Sequence, residues 1–256
     1  MKKGNNTIRY TVIVCLSVLG VAVTFILSPI AQDLEYHSFM DQRRVLGIPN
    51  FWNVTSNLPF FLVGLWGLHS LLLSNRIKLV EEMKIAYILF FSGVLLVAFG
   101  SGYYHLWPNN TTLVWDRLPM AIAFMALFTL VIGEFISSRL GKLTLWPLII
   151  FGIFSVVYWY ITEINGQGDL RLYILVQFLP ILLIPTILLC FKSHFTHTNG
   201  YWLLLSAYAI AKIFEHFDET TSDVLFSLSG HSLKHTIAAL GIYFLLKSFH
   251  ERRSSK

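Results

Sequence analysis

Eight apolar segments, each close to 20 residues long, follow one another along this chain with short polar stretches between them. They cover about 10–31, 53–74, 84–106, 113–137, 144–163, 170–191, 201–217 and 232–248. A helix needs roughly 20 mostly apolar residues to cross the hydrocarbon of a bilayer. Lipid offers no partner for exposed backbone N–H and C=O groups, so segments of this kind cross as helices. The composition agrees, with 55% hydrophobic and 13% charged residues against about 25% charged in a soluble domain. The expected fold class is all-α, a polytopic transmembrane helical bundle with no soluble domain.

The first segment follows a basic start, "MKKGNNTIRY", as a signal peptide would. Its apolar stretch exceeds the 7–15 residues of a signal h-region, and Pro29 two residues before Ala31 makes a poor cleavage site. It reads as a retained helix. Lysine and arginine then set the orientation. With a cytoplasmic N-terminus, 13 basic residues fall at inner ends, among them Arg9, Lys78, Lys142 and Arg252, and 4 at outer ends: Arg43, Arg44, Arg117 and Arg171. Both termini are expected in the cytoplasm. The formal charge of +5 is dispersed over several loops, so it marks topology and gives no reason to expect nucleic acid as a partner. Cys15 and Cys190 lie in apolar segments and have no neighbour at a metal-ligand spacing.

Against this background "GSGYYHLWPNNTTLVWDRLPM", residues 100–120, stands out. Ionisable groups are costly in a membrane and mark function by default. Ser101 and His105 are four residues apart and share a helix face; Asp116 follows one turn later, at the same outer depth. A second cluster, "SGHSLKHTIAAL", puts His231 and His235 four apart at the outer start of the last segment. Two histidines at that spacing can hold one metal ion from a single helix, and His105 supplies a third ligand from another. Three protein ligands with an open position are the pattern of catalytic zinc, which lowers the pKa of its bound water to about 7. Asp116 could then move a proton, and Ser101 could donate to a ligating or reacting oxygen. Hydrogen bonding between helices is the competing role for any one of these residues.

Other polar residues carry less. His69, His194, His197 and His250 lie toward the inner side, His216 lacks a partner at metal spacing, and solvation is the expected role of His37 in the outer loop. Asn50, Asn53 and Asn57 fall on one helical face, suited either to the mouth of a site or to helix-to-helix hydrogen bonds. Glu215 and Asp218 could orient a ligand histidine or serve capping and solvation. Lys234, between the ligand histidines, is expected to face away and pair with a carboxylate or snorkel.

These motifs resemble the alkaline ceramidase family, part of a group of seven-helix membrane hydrolases that includes the progestin and adipoQ receptors. The shared pattern is "SGYYH" (Ser101, His105), Asp116 eleven residues after that histidine, "HSLKH" (His231, His235), and an opening stripe "FWNVTSN" at 51–57. Order and spacing match from about residue 50 to 248. The resemblance implies a seven-helix core over 50–248, preceded by one extra N-terminal helix and an outer loop (1–49) and followed by a basic cytoplasmic tail (249–256). It implies zinc (Zn2+) on His105, His231 and His235, Asp116 as proton shuttle, Ser101 at the oxyanion or water, and hydrolysis of a linear amide in a ceramide-like membrane lipid to a fatty acid and a sphingoid-type amine. The family's acidic calcium-binding stretch is not reproduced: Asn50 stands where a glutamate precedes the F-W-N motif, and Asp33, Glu35 and Asp41 are arranged differently. Ca2+ is therefore not expected. The "AKIFEHFDE" stretch also departs from the eukaryotic pattern and suggests a distant branch; in a bacterium such a protein belongs in the inner membrane.

Two other functions compete with a zinc-dependent lipid amidohydrolase. A lipid receptor or sensor would keep the metal site without turnover. A transporter would place its polar cluster mid-bilayer between broken helices, and here the cluster sits at one end.

Overall fold

In the computed structural model, residues 3–225 and 228–254 are described, with side chains from residue 6. Among them the chain is helical, with only two isolated β-bridges. The helices are α1 (Lys3–Ile26), α2 (Phe51–Thr55), α3 (Leu58–Leu72), α4 (Lys84–Leu106), α5 (Asn110–Val131), α6 (Ser138–Ile164), α7 (Arg171–Cys190), α8 (Asn199–His216), α9 (Asp218–Leu225) and α10 (Gly230–Glu251). Among the described residues, five stretches are long and apolar enough to cross a membrane: 6–26, 81–106, 110–136, 138–164 and 171–190. This is the pattern of a multi-pass membrane protein. The remaining expected spans are shorter or more polar. α3 has 15 residues, and α8 and α10 carry lysine, glutamate and histidine turned toward one another.

The segment expected at 53–74 is two pieces. Pro59 has no N–H to offer Thr55, and Asn57 turns its side-chain amide onto the Asn53 carbonyl at 2.8 Å, so the helix stops and restarts. α2 is fastened at its start by Asp41, whose carboxylate accepts from the backbone N–H groups of Trp52 (2.7 Å) and Asn53 (3.0 Å).

Two glycines set the helix spacing that matters most. A Cβ on Gly100 would lie 2.0 Å from the Trp115 carbonyl oxygen, so α4 and α5 meet backbone to backbone there. A Cβ on Gly230 would lie 2.1 Å from the Phe214 carbonyl oxygen, which presses the start of α10 against the end of α8. Between α4 and α5, Asn109 forms a capping box with Thr112.

α1 packs on α7 and otherwise presents Ile8, Val14, Val18, Leu19 and Ile26 outward, as a lipid-facing helix would. Its far end is tied by Arg171, which donates to the Leu27 carbonyl (2.8 Å) while gripping Asp169 at both oxygens. At the opposite end of the bundle Arg252 is buried. It meets Glu134 at 2.7 Å and Tyr87 at 2.9 Å and stacks on Phe249. Arg117 and Arg252 are thus internal groups, although the topology count treated both as surface charges.

Candidate metal centre and lipid cavity

α4 delivers His105 from its last turn, and α10 delivers His231 and His235 from its first two. All three are buried, and one ligand nitrogen of each lies within 4.8 Å of the others. Nitrogens bound tetrahedrally at about 2.0–2.1 Å from zinc stand roughly 3.3 Å apart, so a small inward movement of the rings closes the set around an ion. The hydrogen bonding fits a metal. Nδ1 of His105 is buried with no hydrogen-bond partner among the described residues, a costly arrangement unless something binds there. Nδ1 of His235 is 2.9 Å from the Ser56 hydroxyl, which leaves Nε2 as its ligand atom. Metal-binding histidines usually engage their second nitrogen in this way. An all-imidazole set suits zinc and several other transition metals.

The loop between α1 and α2 roofs these histidines. The Phe39 ring lies 4.6 Å from the His105 ring and 4.5 Å from that of His231, centroid to centroid. The loop is held by the Met40 N–H on Asp218 (3.3 Å) and by His37, whose Nδ1 meets the Tyr104 hydroxyl (2.8 Å) and whose Nε2 meets the Asn110 side-chain oxygen (2.9 Å). His37 is therefore a bridge between the loop and two helices, where solvation was expected.

Beneath the roof is a cavity of about 320 Å³, and all five expected site residues line it: Ser101, His105, Asp116, His231 and His235. The close approach at Gly100, against the Trp115 carbonyl and the Asp116 backbone nitrogen, brings Ser101 of α4 and Asp116 of α5 to the wall of the same cavity. Ser101 is buried and Asp116 half-buried. Away from this end the wall is apolar. It follows α4 from His105 to Phe90, which at 1.5 Å per residue is about 22 Å. Half of a roughly 30 Å hydrocarbon core is shorter than that.

The neighbouring polar residues divide as follows. Asn53 accepts from the hydroxyls of Ser229 (3.1 Å) and Ser232 (2.7 Å), and Asn50 donates to the His105 carbonyl at 2.7 Å. Asn50 and Asn53 tie elements together, the Asn57 side-chain amide donates to carbonyls of α2, and none of the three lines the cavity. Asp218 caps α10 through the His231 N–H at 2.8 Å. Glu215 holds Lys234 and Lys212, at 2.8 and 2.5 Å. Neither carboxylate touches a ligand imidazole, so their roles are capping and ion pairing. Lys234 pairs as expected and also lines the cavity. Two residues were missed by sequence reasoning. Ser56 lies within the quoted "FWNVTSN" stripe, which was its signal. Arg117 follows Asp116 directly, but nothing in the sequence distinguishes a buried arginine from one at a helix end.

No protein-family model matches the chain, and no curated protein is significantly similar to it.

Proposed function

We propose that the chain is a zinc-dependent integral membrane hydrolase of the alkaline ceramidase kind, with a seven-helix core behind the extra helix α1. It would cleave the amide of a ceramide-like lipid to a free fatty acid and an amine. The observation that carries this reading is the convergence of three buried imidazoles with Asp116 and Ser101 at the polar end of one largely apolar cavity. His105, His231 and His235 would hold the ion, and Ser56 would fix the ring of His235. When bound, zinc supplies Lewis acidity and the means of activating water at neutral pH.

The chain's own groups account for the rest. The apolar wall takes the acyl chain and presents the amide to the polar end. Phe39 and the outer loop keep bulk water off the reacting atoms, which strengthens every electrostatic interaction inside. An Asp116 oxygen accepts a proton from the attacking water and returns it to the departing nitrogen, as general base and then general acid. The Ser101 hydroxyl fixes the direction of that carboxylate. In the proposed orientation both termini are cytoplasmic and the metal centre faces the outer side, so a reporter fused at the C-terminus should be active only in the cytoplasm.

The test is elemental analysis of the purified protein together with a hydrolysis screen over lipid amides. Close to one zinc per chain and release of fatty acid are expected. A stoichiometric metal without turnover would favour a lipid receptor that retains the site, and the absence of any bound metal would remove the mechanism.

A further inference from the structure

The polar end of the cavity holds more positive than negative charge. Asp116, Arg117, Lys212, Glu215 and Lys234 all line it. Glu215 serves both lysines at once, and among the described residues Asp116 forms no ion pair with Arg117 or with either lysine. Arg117 is left without a carboxylate partner. It is 5% exposed, it donates from Nη2 to the neutral side-chain oxygen of Gln32 at 2.6 Å, and it stacks on Trp159 (4.1 Å) and Tyr173 (4.8 Å). Its Nη1 is buried with no hydrogen-bond partner among the described residues. A buried guanidinium with an idle donor is costly in isolation. The aromatic faces hold it in one orientation, and an oxygen anion is the ligand its fork matches best. Bound zinc would add further positive charge to the same end.

We infer that this end of the cavity is an anion subsite, and that the protein takes amide lipids whose head group carries a carboxylate or phosphate close to the amide, with Arg117 as the receptor for that group. This rests on reading the cavity as a lipid amide site and narrows its substrate class, since a neutral ceramide leaves the excess charge unanswered. Arg117 does no chemistry here; it selects the head group.

Binding to the metal-stripped full-length protein in detergent tests the subsite without requiring turnover, so it can stand or fall separately from the hydrolase reading. Intrinsic tryptophan fluorescence, with Trp159 against the guanidinium, reports occupancy. The probes are N-palmitoylglycine, ceramide 1-phosphate, neutral N-palmitoylethanolamine and palmitate. Wild-type protein should prefer the first two over the neutral amide by roughly tenfold or more, as a charge-assisted hydrogen bond implies. Arg117→Gln should erase that preference while leaving affinity for the neutral amide intact, and Arg117→Lys should keep part of it. Equal wild-type affinity for anionic and neutral amides overturns the inference even if no variant folds. Equal weakening of all probes by Arg117→Gln would show a purely structural role and also overturn it. Tight binding of palmitate alone would assign the subsite to the released acid, against a head-group role.

Discussion

The Ser56 hydroxyl and Nδ1 of His235 are hydrogen-bonded at 2.9 Å across the gap between the end of α2 and α10. A residue of the "FWNVTSN" stripe thereby reaches the three-histidine cluster without belonging to it. Ser56→Ala removes the group that orients the ring. Apparent zinc affinity should fall by about 10–100-fold, as it does when such supporting groups are lost elsewhere. Competition with a fluorescent chelator measures it; unchanged affinity would mean that packing against Phe60 suffices to hold His235.

Gly100 offers a test of how Ser101 and Asp116 are brought together. Gly100→Ala would force a Cβ to 2.0 Å from backbone oxygen, and overpacking of this kind costs about 1–3 kcal/mol or more. Both melting temperature and hydrolysis should fall. Gly102→Ala is the control, because a Cβ there meets nothing within 4 Å. If Gly100→Ala melts and turns over like Gly102→Ala, the helix approach is not what sets the site.

The two residues chosen for that comparison show what the sequence discloses. Spacing at four residues brought out His231 with His235 and Ser101 with His105, because a helix of known pitch puts such pairs on one face. It could not disclose that Gly100 meets the α5 backbone while Gly102 meets nothing, since that depends on a second helix. The loop over the site was equally hidden. Residues 31–49 have no periodicity, so neither the seat of Phe39 on two histidines nor the bridging by His37 could be anticipated. The break at Pro59 was present as a proline signal and was overridden by the apolar run around it. Arg117 and Arg252 were read as interface charges because burial of a cation depends on partners distant in sequence: Trp159 and Gln32 for one, Glu134 for the other.

Acid should loosen the outer attachment of α1. Arg171, hydrogen-bonded to both oxygens of Asp169, holds that carboxyl below its ordinary value. A depressed folded-state pKa means that the pair's contribution is complete above the unfolded value, about 3.9, and is lost as pH falls through the lowered one. Melting temperature should therefore drop more steeply below about pH 4 in the wild type than in Asp169→Asn, which lacks this titration. Parallel pH profiles for the two proteins would count against the linkage.

The division of labour between ligands and the proton-transfer group is tested most directly by measuring zinc content and lipid-amide hydrolysis together in Asp116→Asn, with His105→Ala as the comparison. The asparagine keeps the shape of the side chain and cannot take the proton. Zinc should remain near one per chain while turnover falls by about 10²–10⁴-fold, the usual contribution of a general acid–base group. His105→Ala should lose zinc and turnover together. Asp116→Asn that retains zinc and hydrolyses at the wild-type rate would contradict the account.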